Sequence, residues 1–424
     1  MRIFSAIVVF LFSFCPASDV FIVDFDGAVD PPSAQYVLSA IEQAEAKDAS
    51  LLLIILDTPG GLMSSMKQIV DGIVNSEVPV AVYVYPRGAR AASAGLFITM
   101  AANIAAMAPG THIGAAHPVS IGFGADTSKV MTEKVTNDAV AWLRSLAQIR
   151  HRNTEWLERA VKYSESITAS EAESIGVIDF VASNVEELLE KISEMEIIID
   201  DTTITVDVKN ADTVKISMSF QQKVLHTILN PNIAYLLLIL GLLGIYFELQ
   251  HPGVIAPGVV GVISLLSAIY AFQILPVNYI GVLLIITGIV MFILEVKVPG
   301  FGVLTSGGII ALLLGSFMLT SGNAPELSVD WWTIVPTVLF VALFFIFVVA
   351  KALLAQKSRP QTGAEGILGE IGEVSVKISP QKAGKIFVHG EIWNARSDEE
   401  IPEGVQVKIV KVDGMMLWVK PIDE

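Results

Sequence analysis

Cysteine and positive charge are what this 424-residue chain has least of: one Cys, six His, and 27 Lys and Arg against 43 Asp and Glu. Each scarcity excludes a class of chemistry. The single cysteine, Cys15, sits so near the N-terminus that the body of the chain has no disulfide, thiolate nucleophile or cysteine metal site to offer. No HExxH, CxxC or acidic EF-hand loop occurs, so neither a metal nor another cofactor is expected. A net charge of −16, an isoelectric point near 4.8 and the lack of a basic stripe argue against a nucleic-acid partner. Apolar residues, by contrast, are abundant. They make up 53% of the chain, and a mean hydropathy of +0.62 is too high for a wholly soluble protein.

That apolar content is unevenly placed. Met1-Arg2, the run Ile3–Phe14 and Cys15-Pro16-Ala17-Ser18 read as a signal peptide over residues 1–18, since about 12 apolar residues fall short of the roughly 20 a span needs. From 19 to 192 short β-type runs alternate with helix-period segments. Val20–Asp24, Leu51–Leu56 and Val80–Tyr85 are strand-like, while Ser33–Lys47, Ser64–Ser76, Ala92–Ala102, Thr132–Ile149 and Glu155–Val161 can be helices. This βαβ rhythm implies an α/β domain with a mainly parallel sheet. Thr168 and Glu171 have capping-box spacing. Glu196–Ser219 alternates β-type residues with Asp and Thr, so the segment 193–231 reads as a small sheet or an extended stalk before the membrane region.

Five apolar segments follow within 232–354, near Ile233–Leu249, Val254–Leu275, Tyr279–Val296, Val303–Thr320 and Ile334–Ala350. They read as a five-span, polytopic helical membrane region with an internal repeat. Glu248, Pro252, Gly253, Gly261, Ile263, Leu265 and Leu266 recur 47 positions later as Glu295, Pro299, Gly300, Gly308, Ile310, Leu312 and Leu313, a duplicated hairpin plus one helix. Lys297, Lys351, Lys357 and Arg359 against an acidic 321–332 loop place the C-terminus in the cytoplasm and residues 19–230 outside. Glu248 and Glu295 suit either hairpin turns at the interface or, in a transporter reading, ion sites. Residues 362–424 hold about five short alternating strands, with turns at Ser379-Pro380, His389-Gly390 and Asp413-Gly414, as in a small all-β barrel of OB type. Their scattered lysines favour a protein-docking module over nucleic acid.

Two small-residue segments carry the chemistry. Ser93 lies in Gly88-Ala89-Arg90-Ala91-Ala92-Ser93-Ala94-Gly95, and Asp57-Thr58-Pro59-Gly60-Gly61 follows an apolar strand. A serine hydroxyl becomes a nucleophile when a base takes its proton, and the oxyanion it creates needs preplaced N–H donors. Small residues can supply the turns for both, although they also permit tight helix–strand packing alone. A G-x-S-x-G elbow is excluded by Ala91. Two bases are available, His117 and Lys134. Intrinsic chemistry slightly favours the histidine, because a lysine must be desolvated before it accepts a proton near neutrality. His112, His151 and His226 show no partner pattern and read as structural.

Asp57-Thr58-Pro59-Gly60-Gly61-Leu62, the segment around Ser93, Met107-Ala108-Pro109-Gly110-Thr111 with Ile113-Gly114-Ala115, Lys134-Val135-Thr136-Asn137, Gly176-Val177-Ile178-Asp179 and Gly390–Ala395 together resemble the long form of the NfeD family. Its members are membrane-anchored relatives of the ClpP and signal-peptide-peptidase-A serine proteases. The resemblance implies a ClpP/crotonase-like protease domain over 19–192 and a membrane-bound serine endopeptidase acting through a Ser-Lys dyad. Ser93 then matches the nucleophile and Lys134 the base, with backbone N–H groups of Gly61 or Leu62 and of Ala94 as oxyanion hole. ClpP itself uses a histidine near where His117 falls, so His117 stays a rival base. Hydrophobic segments of stomatin/prohibitin-like membrane proteins are the implied substrates and partners, in a lipid membrane and in a homo-oligomer. The rival reading is a non-catalytic scaffold for the same partners.

Overall fold

Nearly uninterrupted aliphatic runs are what a parallel strand covered on both faces requires, and the strands they form are the centre of the first domain. The structure, a computed structural model, describes residues 19–118, 129–199, 202–209, 211–298, 302–319, 328–357 and 364–422; the expected signal peptide lies outside them. Strands β1 (Asp19–Asp26), β2 (Leu51–Asp57) and β3 (Val80–Val84) are joined through helices α1 (Pro31–Glu45) and α2 (Met63–Val74). Asp30 starts α1 with a capping box to Ser33. Strand β4 (Arg90–Ala92) then turns through Ser93 into α3 (Ala94–Ala101), and β5 (Ile104–Met107) returns to the sheet.

Next come β6 (His112–Gly114), α4 (Lys129–Ile149), α5 (Thr154–Lys162), β7 (Ser166–Thr168), α6 (Ala169–Ser174), β8 (Phe180–Val181) and α7 (Val185–Ile192). The Thr168/Glu171 capping box expected from spacing does open α6. The stretch expected to be a small sheet or stalk does two things. It forms the antiparallel pair β9 (Glu196–Ile199) and β10 (Thr202–Thr205), and it returns β11 (Asp212–Ile216) to the main sheet beside β1. The sheet order is β11-β1-β2-β3-β5-β8, parallel throughout, with a separate sheet β4-β6-β7. Phe21, Leu52, Ile54, Val82, Phe97 and Trp156 are among the residues filling one of its two cores.

Helix α8 (Phe220–Ile228) connects the sheet to five apolar helices: α9 (Pro231–Gln250), α10 (Ala256–Ile274), α11 (Tyr279–Lys297), α12 (Val303–Leu319) and α13 (Trp331–Lys357). Pro231–Gln250, Ala256–Ile274 and Trp331–Lys351 are long and apolar enough to cross a membrane; Tyr279–Glu295 and Val303–Leu319 are shorter apolar helices. The repeat is visible in the packing. A Cβ on Gly241 would fall 2.8 Å from Leu265 N, and on Gly288, 47 positions later, 3.0 Å from Leu312 N, so both hairpins close at equivalent small residues. Glu295 accepts from Gly302 N (2.9 Å) and Thr305 N (3.0 Å), capping α12 at the hairpin turn, and Glu248 accepts from Gly253 N (3.3 Å).

The C-terminal unit is a closed barrel of β12 (Ile371–Val376), β13 (Gly384–Val388), β14 (Glu391–Arg396), β15 (Gln406–Asp413) and β16 (Met416–Pro421), in the order β12-β13-β14-β16-β15. Alternating residues such as Val374, Ile386, Val407, Ile409 and Leu417 fill it. Its hairpins turn at His389-Gly390 and Asp413-Gly414, where His389, Gly390 and Gly414 take positive φ. It is the OB-type domain expected from the sequence.

Candidate active site

The C-terminal ends of parallel strands collect ligand sites because the loops leaving them converge there, and the loop after β2 meets Ser93 at such an edge. Thr58 N donates to Arg90 O (2.8 Å) and Ala92 N to Thr58 O (3.1 Å), so β4 runs along the Thr58 turn. On its other side β4 pairs with β6, and Ser93 N donates to Gly114 O (2.9 Å). Ser93 itself is the residue before α3 and has φ +51° and ψ −110°. A non-glycine residue at positive φ costs on the order of 1–3 kcal/mol and persists only where its surroundings hold it. Here the hydrogen-bonded neighbours on both sides do so.

Small residues are needed at each contact. A Cβ on Gly60 would lie 2.7 Å from Ser93 Cβ and 3.1 Å from its Oγ, and Gly60 has φ +118°, so only glycine fits. A Cβ on Gly95 would lie 2.7 Å from Thr58 Cγ2. Packing and chemistry are therefore one arrangement: the tight turn is what brings the Gly60 loop to the hydroxyl. Thr58, fully buried, accepts from Gly60 N (3.1 Å) through its Oγ1 and fixes the loop.

Backbone N–H groups beside Ser93 can be sorted by what they already bond. Leu62 N donates to Val29 O (2.8 Å) and Val29 N to Gly60 O (2.8 Å). This parallel bridge between Val29 and Gly61 spends the Leu62 donor, which is a correction to its candidacy for the oxyanion hole. Gly61, between the two bonds, directs its own N–H away from Val29. Ala94 opens α3, where helix geometry leaves the first N–H groups without an intrahelical acceptor. The positive end of the helix dipole adds to the attraction for an anion there.

The two candidate bases are placed differently. His117 follows β6, and its Nδ1 donates to Val161 O (2.9 Å) at the end of α5, which leaves Nε2 as an acceptor. Lys134 lies in the second turn of α4 and is exposed; residues 119–128 leading to that helix are outside the described part. No hydrogen bond joins Ser93 to Lys134 or His117 among the described residues. In unliganded sites such contacts are often long and tighten when substrate excludes water. Helix α4 is anchored at its far end. Arg152, buried just beyond it, donates to Asp179 (3.1 Å), Ala102 O (3.1 Å) and Val177 O (3.3 Å).

One feature had no local signal in the sequence. His226 on α8, expected to be structural and unpartnered, bonds through Nδ1 to Asp30 Oδ2 at 2.6 Å. The two are 196 residues apart. The hydrogen bond to the Asp30 carboxylate holds the imidazole protonated above the ordinary histidine range, against the opposing effect of burial.

Over residues 19–202 the chain matches the NfeD1b N-terminal domain, over 232–351 the NfeD integral membrane domain, and over 364–421 the NfeD-like C-terminal, partner-binding domain. The membrane-bound protease PH1510 of Pyrococcus horikoshii is 35% identical over 432 residues, covering 99% of this chain and 97% of that protein. Membrane protein NfeD1b of Bacillus subtilis is 27% identical, covering 95% of this chain and 93% of its own. The solved 1510-N membrane protease specific for a stomatin homolog from Pyrococcus horikoshii is 34% identical over 49% of this chain and 97% of its own, with a TM-score of 0.43. Three successive domain matches and a relative above 30% identity along nearly the whole length carry the conclusion: the chain belongs to the NfeD family.

Proposed function

We propose that Ser93 is the nucleophile of a membrane-bound serine endopeptidase and Lys134 its general base. The observation that carries the reading is the strained Ser93 turn, with φ +51° and Gly60 packed directly on its side chain. The Lys134 amine takes the Ser93 Oγ proton as Oγ bonds to the scissile carbonyl carbon. The oxyanion is received by the N–H groups of Gly61 and Ala94, backbone donors whose direction is set by the local fold rather than by a side-chain rotamer. Collapse breaks the C–N bond, and the lysine ammonium gives its proton to the leaving amine. Water then hydrolyses the acyl-enzyme by the same relay. His117 is the second reading for the base, favoured by its Nδ1 bond to Val161 O, which leaves Nε2 free to accept a proton.

Family membership supports hydrophobic segments of stomatin/prohibitin-like proteins as substrates, with the barrel as the cytoplasmic partner-binding module and the protease domain outside. A lipid-embedded homo-oligomer is part of the same reading. In the test, the purified full chain is given an apolar peptide. Ser93→Ala should abolish cleavage with thermal unfolding unchanged. Cleavage surviving in the mutant at the wild-type rate would return the protein to the scaffold reading.

A further inference from the structure

Helix α8 ends at Ile228 and the first membrane helix begins at Pro231, so whatever α8 grips in the protease domain is gripped by the membrane arm. Its grip is specific. His226 Nδ1 meets Asp30 Oδ2 at 2.6 Å, and a Cβ on Gly27 would lie 3.4 Å from the ring's Nε2, so the imidazole stands over the 27–30 segment. Asp30 is 6% exposed, and its other carboxylate oxygen accepts from Ser33 N (2.8 Å) as the cap of α1. Gly27 N donates to Asp57 O (3.0 Å). Between Gly27 and Asp30 lies Val29, whose N–H and C=O hold Gly60 O and Leu62 N, each at 2.8 Å. That clasp is what fixes the direction of the Gly61 N–H, and Gly60 rests on Ser93.

We propose that His226 is a positioning residue for the oxyanion donor: through Asp30 it holds the Val29 clasp in register, and so it ties the orientation of Gly61 to the seating of the membrane arm. The inference rests on Ser93 as nucleophile and Gly61 as donor. It adds that the membrane segment acts on transition-state stabilisation and leaves substrate binding alone. Misplacement by about 1 Å far from the reacting atoms can cost up to about 10²-fold in rate, so loss of one hydrogen bond at the second remove is expected to cost about ten-fold.

The experiment uses the full chain in lipid nanodiscs and measures kcat and KM on an apolar peptide, inhibition by a peptidyl boronate that mimics the tetrahedral intermediate, and thermal unfolding. His226→Ala should lower kcat about ten-fold and weaken the boronate by the same factor, with KM unchanged. His226→Asn, whose amide can donate from near the Nδ1 position, should restore most of both; His226→Gln, which reaches the Nε2 position instead, should not. Wild-type kcat and boronate affinity in His226→Ala would overturn the proposal. So would a kcat loss without a boronate change, or equal behaviour of the Asn and Gln variants should the alanine variant fail to fold. Failure of the protease reading itself shows separately, as Ser93→Ala retaining cleavage.

Discussion

The two halves of the proposed site are built in different ways. On the oxyanion side of the proposed site, Thr58, Gly60, Val29 and Leu62 are linked by hydrogen bonds at 2.8–3.1 Å, and Gly60 packs on the serine side chain. The proposed base, Lys134, lies in an exposed turn of α4, a helix whose firm anchor, Arg152, lies beyond the opposite end. The contrast follows from the chemistry asked of each. Oxyanion donors work by being preorganised, since any reorganisation during the reaction is lost rate. A lysine base works only once desolvated, and an exposed amine reaches that state when substrate or a partner covers it. If Gly61 and Ala94 are the oxyanion donors and Lys134 the base, as proposed, the site has a fixed half and a half that becomes active when it is covered.

Replacing Lys134 breaks the comparison at its sharpest point. Lys134→Ala should lower kcat by about 10²–10⁴-fold, the range a general base supplies, while His117→Ala costs under about ten-fold. The converse pattern in peptide-cleavage kinetics would move the base to His117. Gly60→Ala attacks the fixed half. Because a Cβ there meets Ser93 Cβ at 2.7 Å, activity should fall by about 10²-fold through displacement of the loop, and stability by about 1–3 kcal/mol through the positive φ of +118°. A fully active Gly60→Ala enzyme would mean the fixed half is not fixed.

The anchor of α4 offers a third test. Asp179→Ala leaves the Arg152 guanidinium, 2% exposed, without its carboxylate, itself 34% exposed. Partial solvation of Asp179 lowers the expected cost to roughly 2–3 kcal/mol, below the 3–5 of a fully buried pair, readable by denaturant unfolding. The smallest effect serves as a control outside both halves. The backbone N–H of Ser183, then Lys191, hold the Glu187 carboxyl down at about 2. Its folded value is below its unfolded one, so its stabilising contribution is present above pH 4.5 and is lost as pH falls towards 2. Glu187→Gln should flatten that part of the stability profile and leave peptide cleavage at neutral pH unchanged. A change in cleavage would show that α7 reaches the site.

The packing of the Gly60 loop on Ser93 was legible in the sequence because its determinants are local: a glycine pair after an aliphatic strand, and a serine in a run of small residues. What periodicity misplaced was the start of α3. Ala92 reads as helical, yet it pairs with Gly114 as the last residue of β4, and the left-handed Ser93 turn exists only because β6 lies alongside. The three-residue strands β4, β6 and β7 are too short to show alternation. Strand β11 looked like stalk because Thr213 and Lys215 make one of its faces polar, and it lies at the sheet edge with β1 on one side. The His226–Asp30 bond spans 196 residues and could not be read from spacing at all. The hairpin repeat was legible residue by residue, since Gly241 with Leu265 and Gly288 with Leu312 obey the same close-packing rule.

The most direct measurement of the central claim is active-site labelling with a fluorophosphonate, in which a serine oxygen bonds phosphorus and fluoride leaves. Peptide mapping of the full chain should find one adduct, on Ser93, formed much more slowly in Lys134→Ala and absent in Ser93→Ala. A wild-type protein that cleaves peptide while Ser93 stays unlabelled, or a Ser93→Ala variant labelled as fast as wild type, would contradict the account.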